Sequence, residues 1–383
     1  MGPLTGIRVV EFAGIGPGPM CAMLLADMGA TVLRLDRPTP SGLGLPKAAR
    51  FDLLNRGRRS AIVDLKHQDG IALALDLVER ADALIEGFRP GTMERLGLGP
   101  DVCLGRNPAL VYGRVTGWGQ DGPLAHAAGH DLNYIGLTGV LHAIGRAGQP
   151  PTPPLSLIGD FAGGALYLAF GIVCALLEKQ RSGAGQVVDA AMIDGATSLA
   201  TVFFGLRAAG MLKEERGDNL LDSGAPYYDV YRCRDGKYVA VAPIEKKFRS
   251  EFYRLIGLDE QQVPDAADRA NWPAIRQMIA ARLATRTQAE WCTILEGTDA
   301  CFSPVLSFSE APQHPHHQAR GTFLEIDGIV QPAPAPRFSR TKPALPTPPE
   351  PAGQSTEQVL RDWGIDEARI ERLRRDGVIR SCA

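Results

Sequence analysis

Three side chains able to carry protons stand at breaks in the apolar pattern of the chain. His130 lies in Gly129-His130-Asp131-Leu132-Asn133-Tyr134, directly after a glycine, where a helix opens. A helix N-terminus favours the neutral imidazole, the form that a general base needs. The alternative for a lone histidine is a structural role. Asp160, in Ile158-Gly159-Asp160-Phe161, also opens an apparent helix. It reads either as a proton carrier or as a plain N-cap. Glu245 follows the apolar strand Tyr238-Val239-Ala240-Val241-Ala242 and reads as surface or site.

Positive charge gathers in three places. One is Asn55-Arg56-Gly57-Arg58-Arg59-Ser60; a second is Arg34 with Arg37; a third is Gly87-Phe88-Arg89-Pro90-Gly91, followed by Arg95. Guanidinium forks suit phosphate, and the alternative for each is a solvated loop. In a doubly wound sheet ligands collect beyond the carboxyl ends of the strands, so three basic spots at strand ends favour a multi-phosphate ligand. The loop Gly14-Ile15-Gly16-Pro17-Gly18-Pro19 resembles a dinucleotide turn, but Pro19 occupies the place of its last glycine. Pro17 and Pro19 also remove N–H donors that a pyrophosphate would use. A rigid structural or substrate-facing turn is the better reading. His314-Pro315-His316-His317 lacks the rest of a ligand set and reads as a loop, so no metal is expected.

The elements that must position these residues alternate. Ile7–Phe12 reads as a strand, Met20–Met28 as a helix and Thr31–Leu35 as a strand. Ser60–Asp64 (strand), Ile71–Arg80 (helix), Ala83–Ile85 (strand) and Leu110–Val115 (strand) continue the pattern. This predicts an α/β fold with a doubly wound parallel sheet. A helix is expected over Phe161–Gln180, with Gly163 and Gly164 allowing close backbone packing, and another, buried, over Val188–Phe204. Pro226–Tyr231 and Lys237–Ala242 predict a hairpin around Arg234-Asp235-Gly236. The expected organisation is a large domain over 1–200, a linker over 201–224, a small α+β domain over 225–315, and a segment over 316–383 that returns to the large domain. Proline-rich stretches at 332–336 and 343–351 read as linkers, and Thr356–Arg375 as helical.

The 383 residues are 45% hydrophobic and 22% charged, with a formal net charge of -2. That suits a globular protein and gives no global support for a nucleic-acid or membrane-surface partner. The N-terminus has no secretory pattern, and the apolar stretch around Leu166–Leu177 reads as too short and glycine-broken to span a bilayer. Seven scattered cysteines fit free thiols in a reducing cytoplasm.

Several segments carry a family likeness. They include Leu4-Thr5-Gly6-Ile7-Arg8-Val9-Val10-Glu11, Glu86-Gly87-Phe88-Arg89-Pro90-Gly91, Gly117-Trp118-Gly119-Gln120-Asp121-Gly122-Pro123, Gly129-His130-Asp131, Gly159-Asp160-Phe161 and Asp299-Ala300-Cys301-Phe302-Ser303-Pro304-Val305. In this order the chain resembles the family III CoA-transferase superfamily and, within it, the α-methylacyl-CoA racemases. The resemblance implies an interlocked homodimer. It implies that His130 and Asp160 exchange the α-proton of a 2-methylacyl-CoA, with Glu245 near the cleft. It places CoA contacts on Arg37, on Val63, Asp64, Leu65 and Lys66, on Gly87, Phe88 and Arg89, on Arg95, and on Gly129, Asp131, Leu132, Asn133 and Tyr134. It implies no metal or redox cofactor, since CoA is part of the substrate.

The chemistry agrees with that expectation. Inverting an α-carbon needs two proton carriers on opposite faces of a flat enolate, swapping roles with substrate hand. The enolate oxygen needs donors, for which the N–H groups after Gly129 or Gly159 are candidates. The competing reading is a CoA-transferase in which Asp160 attacks the thioester as a nucleophile.

Overall fold

The computed structural model describes residues 2–382. Two compact units emerge: residues 1–138, 155–199 and 321–383 form the first, and 139–154 with 200–320 form the second. Residues 201–224, expected as a linker, carry the helix Thr201–Ala208 and belong with the second unit.

The first unit is built on β1 (Arg8–Phe12), β2 (Thr31–Asp36), β3 (Arg59–Val63), β4 (Ala83–Glu86), β5 (Val111–Thr116) and β6 (Gln186–Ala191). They pair in parallel in the order β3-β2-β1-β4-β5-β6, and Ile379–Arg380 adds antiparallel beside β3. This is the doubly wound order, with its reversal between β1 and β4. The alternation along each strand feeds two cores. Val10, Leu33 and Leu84 pack with Leu73, Leu77, Trp363 and Leu373 on one face. Val9, Val32 and Ile85 pack with Cys21, Leu25, Leu168 and Ile172 on the other. Strands covered on both faces must be apolar throughout, which is why they read so clearly in the sequence.

Three expectations change. Residues 186–191 are β6, not helix: Val111↔Gln186 through Thr116↔Ala191 fixes their register beside β5. A short apolar run does not distinguish a buried helix from a strand, and β-branched Val187 and Val188 settle into the sheet. Helices Met192–Leu199 and Thr201–Ala208 follow separately. The stretch 343–351 is not a free linker. Thr347 accepts the Gly57 N–H at 3.0 Å, and Glu350 accepts the Ser60 N–H at 3.1 Å, so the segment is strapped onto the first unit. Finally, helix 161–180 starts earlier, as a π-helix over Leu157–Leu166 that runs into the α-helix Tyr167–Ser182. The joined 26 residues are long and apolar enough by composition to cross a membrane. Here Leu168, Ile172, Ala175 and Leu176 pack onto the sheet. Gly163 and Gly195 meet backbone to backbone, since a Cβ on Gly195 would fall 1.9 Å from the Gly163 carbonyl oxygen. The close packing expected of Gly163 and Gly164 is thus present.

In the second unit β7 (Asp229–Arg232), β8 (Tyr238–Val241) and β9 (Phe302–Val305) form an antiparallel sheet. Helices Lys246–Ile256, Trp272–Leu283 and Gln288–Leu295 enclose a core of Val239, Phe252, Ile275, Ile279 and Trp291. Asp229 is buried between Arg146 and Arg276.

Candidate active site

The carboxyl edge of the sheet gathers the first unit's site residues. Gly16 follows β1, Arg37 follows β2, the loop Gly87–Arg89 follows β4, and the chain leaving β5 runs to His130. His130 is exposed and stands just before the short helix Asp131–Gly136. Its N–H donates to Asn133 Oδ1 at 3.0 Å, and the Asn133 N–H returns to the His130 carbonyl at 2.8 Å. Behind it, the Tyr134 hydroxyl donates to the Gly129 carbonyl, and the Tyr134 ring meets Trp118 edge-on at 4.8 Å. Gly117 and Gly129 are glycines because a Cβ on either would strike the Tyr134 ring.

Asp160 lies in the first turn of the π-helix. Such turns are rare and recur at functional sites, because the widened coil re-aims side chains. The N-cap reading of Asp160 does not hold: no protein group donates to its carboxyl oxygens among the described residues, and the cap position is Ser156. What faces the carboxyl is Gly16. A Cβ there would sit 3.1 Å from Asp160 Oδ2, and Gly16 has φ +67°. Burial pushes Asp160 up to about 6, the Asp131 charge adds to that, and the nearby His130 opposes it. His130 and Asp160 are therefore close enough to act on one another electrostatically.

Asp131 joins the two. It is 4% exposed, and its Oδ2 accepts the Asp160 N–H at 2.7 Å. Its role as a bridge was not read from the sequence, where it figured as a CoA contact; the glycine before Asp160 was the available signal. A Cβ on Gly159 would lie 2.6 Å from Asp131 Oδ2. Of the enolate donors expected after Gly129 and Gly159, two are committed elsewhere. The His130 and Asp160 N–H groups are already donated, to Asn133 and Asp131.

The basic spots divide. Arg56 pairs with buried Asp27 at 2.6 Å and Arg58 with buried Glu11 at 2.7 Å, while half-buried Arg59 meets Asp362. Arg34 pairs with Asp36 at 2.7 Å. The phosphate reading fails for this group because each guanidinium is already committed to a carboxylate: Glu11 on β1, Asp27 at the end of the helix Pro17–Asp27, Asp36 on β2, and Asp362. Arg37 and Arg89 are exposed and enter no ion pair among the described residues. The Arg37 guanidinium lies 5.4 Å from the Phe88 ring centre, which brings the ends of β2 and β4 together. Arg95 is also exposed and donates to Thr92. Val63, Asp64, Leu65 and Lys66 end β3 at the same edge, with the Lys66 N–H on Asp64 Oδ1 at 2.9 Å. The Phe88 loop is held by Glu86, which accepts the Phe88 N–H at 2.7 Å and pairs with Arg114 at 3.0 Å.

Glu245 belongs to the second unit, exposed, at the start of helix Lys246–Ile256, where its carbonyl accepts the Arg249 N–H at 3.0 Å. Its charge acts on Cys301, a residue at φ +48°. His314 pairs with Glu296 at 2.9 Å and stacks near His317, and His316 and His317 lie on the short helix Pro315–Arg320.

The chain belongs to CoA-transferase family III, whose sequence model matches residues 4–356. It is 44% identical to the alpha-methylacyl-CoA racemase of Mus musculus, across 99% of this chain and 98% of that protein. It is 43% identical to the protein of the same name from Homo sapiens, with the same coverage. Among solved structures it resembles a CAIB/BAIF family protein from Brucella suis, with a TM-score of 0.81 and 26% identity over 94% of this chain and 99% of that one.

Proposed function

We propose that the chain is an isomerase that interconverts (R)- and (S)-2-methylacyl-CoA by α-proton exchange through an enolate. The observation that carries it is the closeness of His130 and Asp160 about the Asp131 bridge, with no protein donor to the Asp160 carboxyl oxygens among the described residues. The likeness to proteins named alpha-methylacyl-CoA racemase over the whole chain supports the same reading.

A carboxyl that titrates at about 6 gives or takes a proton near neutral pH. The His130 imidazole is the second proton carrier, on its own side of the α-carbon. One removes the proton, the other returns one to the opposite face, and the roles reverse with the substrate's hand. Glu245 is proposed to orient or tune this pair. Both transfers run on side chains, so the reading calls for no metal or redox cofactor.

CoA is proposed to lie along the carboxyl edge, its phosphates on Arg37, Arg89 and Arg95. Val63–Lys66, Gly87, Phe88 and the stretch Gly129–Tyr134 would complete the binding surface. A homodimer is proposed as the working form. The helix Tyr167–Ser182 leaves Phe170, Val173 and Leu177 exposed in a stripe that a second copy would cover. The seven cysteines, scattered along the chain, suit the reducing cytoplasm proposed for it.

The test is exchange in heavy water. A single-handed 2-methylacyl-CoA should gain deuterium at C2 and yield the other epimer. CoA exchange between acids without C2 labelling would replace this reading by a transferase that uses Asp160 as nucleophile.

A further inference from the structure

We infer that Asp131 is a positioning residue whose buried carboxylate fixes the Asp160 backbone and holds the Asp160 side chain ready to carry a proton. The inference rests on the proposed proton exchange and names what prepares one of its two carriers.

The geometry comes first. Asp131 is 4% exposed. One oxygen, Oδ2, takes the Asp160 N–H at 2.7 Å, while Oδ1 is buried with no hydrogen-bond partner. A buried carboxylate with an unsatisfied oxygen is costly, and nothing in ordinary helix capping requires one. An asparagine or serine at 131 would accept the same N–H without a charge. The charge therefore needs its own explanation, and its neighbour supplies it. Asp160 sits one residue beyond Gly159, whose missing Cβ lets Asp131 approach to contact. A fixed negative charge against a second carboxyl favours that carboxyl's protonated form.

The surroundings do not cancel this effect. Helix Asp131–Gly136 brings Asp131 and Tyr134 toward Asp160, with His130 just before it, and only His130 opposes the shift. The turn after β1 brings Gly16 and Pro17, which carry no charge. Helix Met192–Leu199 meets the π-helix through Met192, Gly195 and Ala196, and its Asp194 is exposed and acts on Asp189. Asp27, on the helix after Gly16, is tied to Arg56.

The experiment uses the full-length protein. Carboxyl-carbon NMR with labelled aspartate follows the Asp160 resonance, assigned by its loss in Asp160→Asn. Wild type should titrate near pH 6, and Asp131→Asn should move that midpoint down by about one unit. Asp131→Ser, which also keeps an acceptor, serves if the asparagine variant does not fold. In kinetics, the pH limb of exchange assigned to Asp160 should move the same way. An Asp160 midpoint unchanged in a folded variant overturns the inference, even if activity falls. This titration needs no turnover, so its result is separate from that of the heavy-water exchange.

Discussion

The carboxylate of Asp131 accepts the backbone N–H of Asp160 at 2.7 Å, so the residue after His130 and the acid facing it are locked in one frame. Two helix starts, 29 residues apart in sequence, thus share one hydrogen bond at the point where the chemistry is proposed to occur.

From this follows the direct test of the proton carriers. Asp160→Asn and His130→Gln should each reduce C2 exchange by about 10²- to 10⁴-fold, the usual contribution of general acid–base catalysis. The pH dependence has a definite sign. In the direction where Asp160 removes the proton, the rate rises through about pH 6; where it donates, the rate falls there. Single-turnover deuterium wash-in with each enantiomer reads both limbs.

Gly16→Ala should damage activity more than stability. The new methyl would press on Asp160 Oδ2 at 3.1 Å, and φ +67° adds a strain of about 1 kcal/mol. We expect a small loss in thermal midpoint beside a large fall in kcat, measured on the same preparation.

The arginines should separate into binding and folding roles. Arg37→Ala and Arg89→Ala should raise KM for the CoA thioester with little change in kcat, and added salt should narrow the difference. Arg58→Ala should instead destabilise the first unit by about 3–5 kcal/mol, because it strands buried Glu11. Denaturant titration beside kinetics distinguishes the two classes.

Glu86 should give the protein a pH-dependent stability. Burial pushes its carboxyl from 4.5 up to about 7, against the Phe88 N–H and Arg114. The native state then holds this proton at a pH where the unfolded chain has lost it. The contribution is complete below pH 4.5 and is lost as pH rises through about 7. Glu86→Gln should flatten that part of the stability profile, by up to about 3 kcal/mol in the limit. Urea midpoints at pH 5 and 7.5 for both proteins measure it.

Phe170→Asp should shift the proposed homodimer toward monomer. The residue is 69% exposed on one chain and lies in an apolar stripe with Val173 and Leu177. Sedimentation equilibrium reports the mass. An unchanged monomeric mass in wild type would remove the dimer from the proposal.

The parallel strands were legible because both of their faces are buried, which writes continuous apolar runs such as Val9-Val10 and Leu84-Ile85 into the chain. The helix starts that carry His130 and Asp160 were legible through the glycines before them. Strand β6 was not, since an apolar run leading straight into helix Met192–Leu199 has no break to mark the change. The π-helix was hidden too: an apolar, glycine-containing run reads as α-helix, and the partner of Gly163, the Gly195 backbone, comes from a later segment. Arg56 and Arg58 looked like ligand residues because a cation looks the same in sequence whether its partner is phosphate or a carboxylate from another strand.

The short antiparallel pairing of Ile379–Arg380 with β3 has a consequence for how the molecule is made. Trp363, Leu373 and Ile379 complete a core begun by Val10 and Leu33, hundreds of residues earlier. During synthesis the open side of β3 is therefore a sticky border, ready to recruit a stray strand from another nascent chain. A ribosome stalled before residue 356 would release an aggregation-prone fragment, not a shortened enzyme.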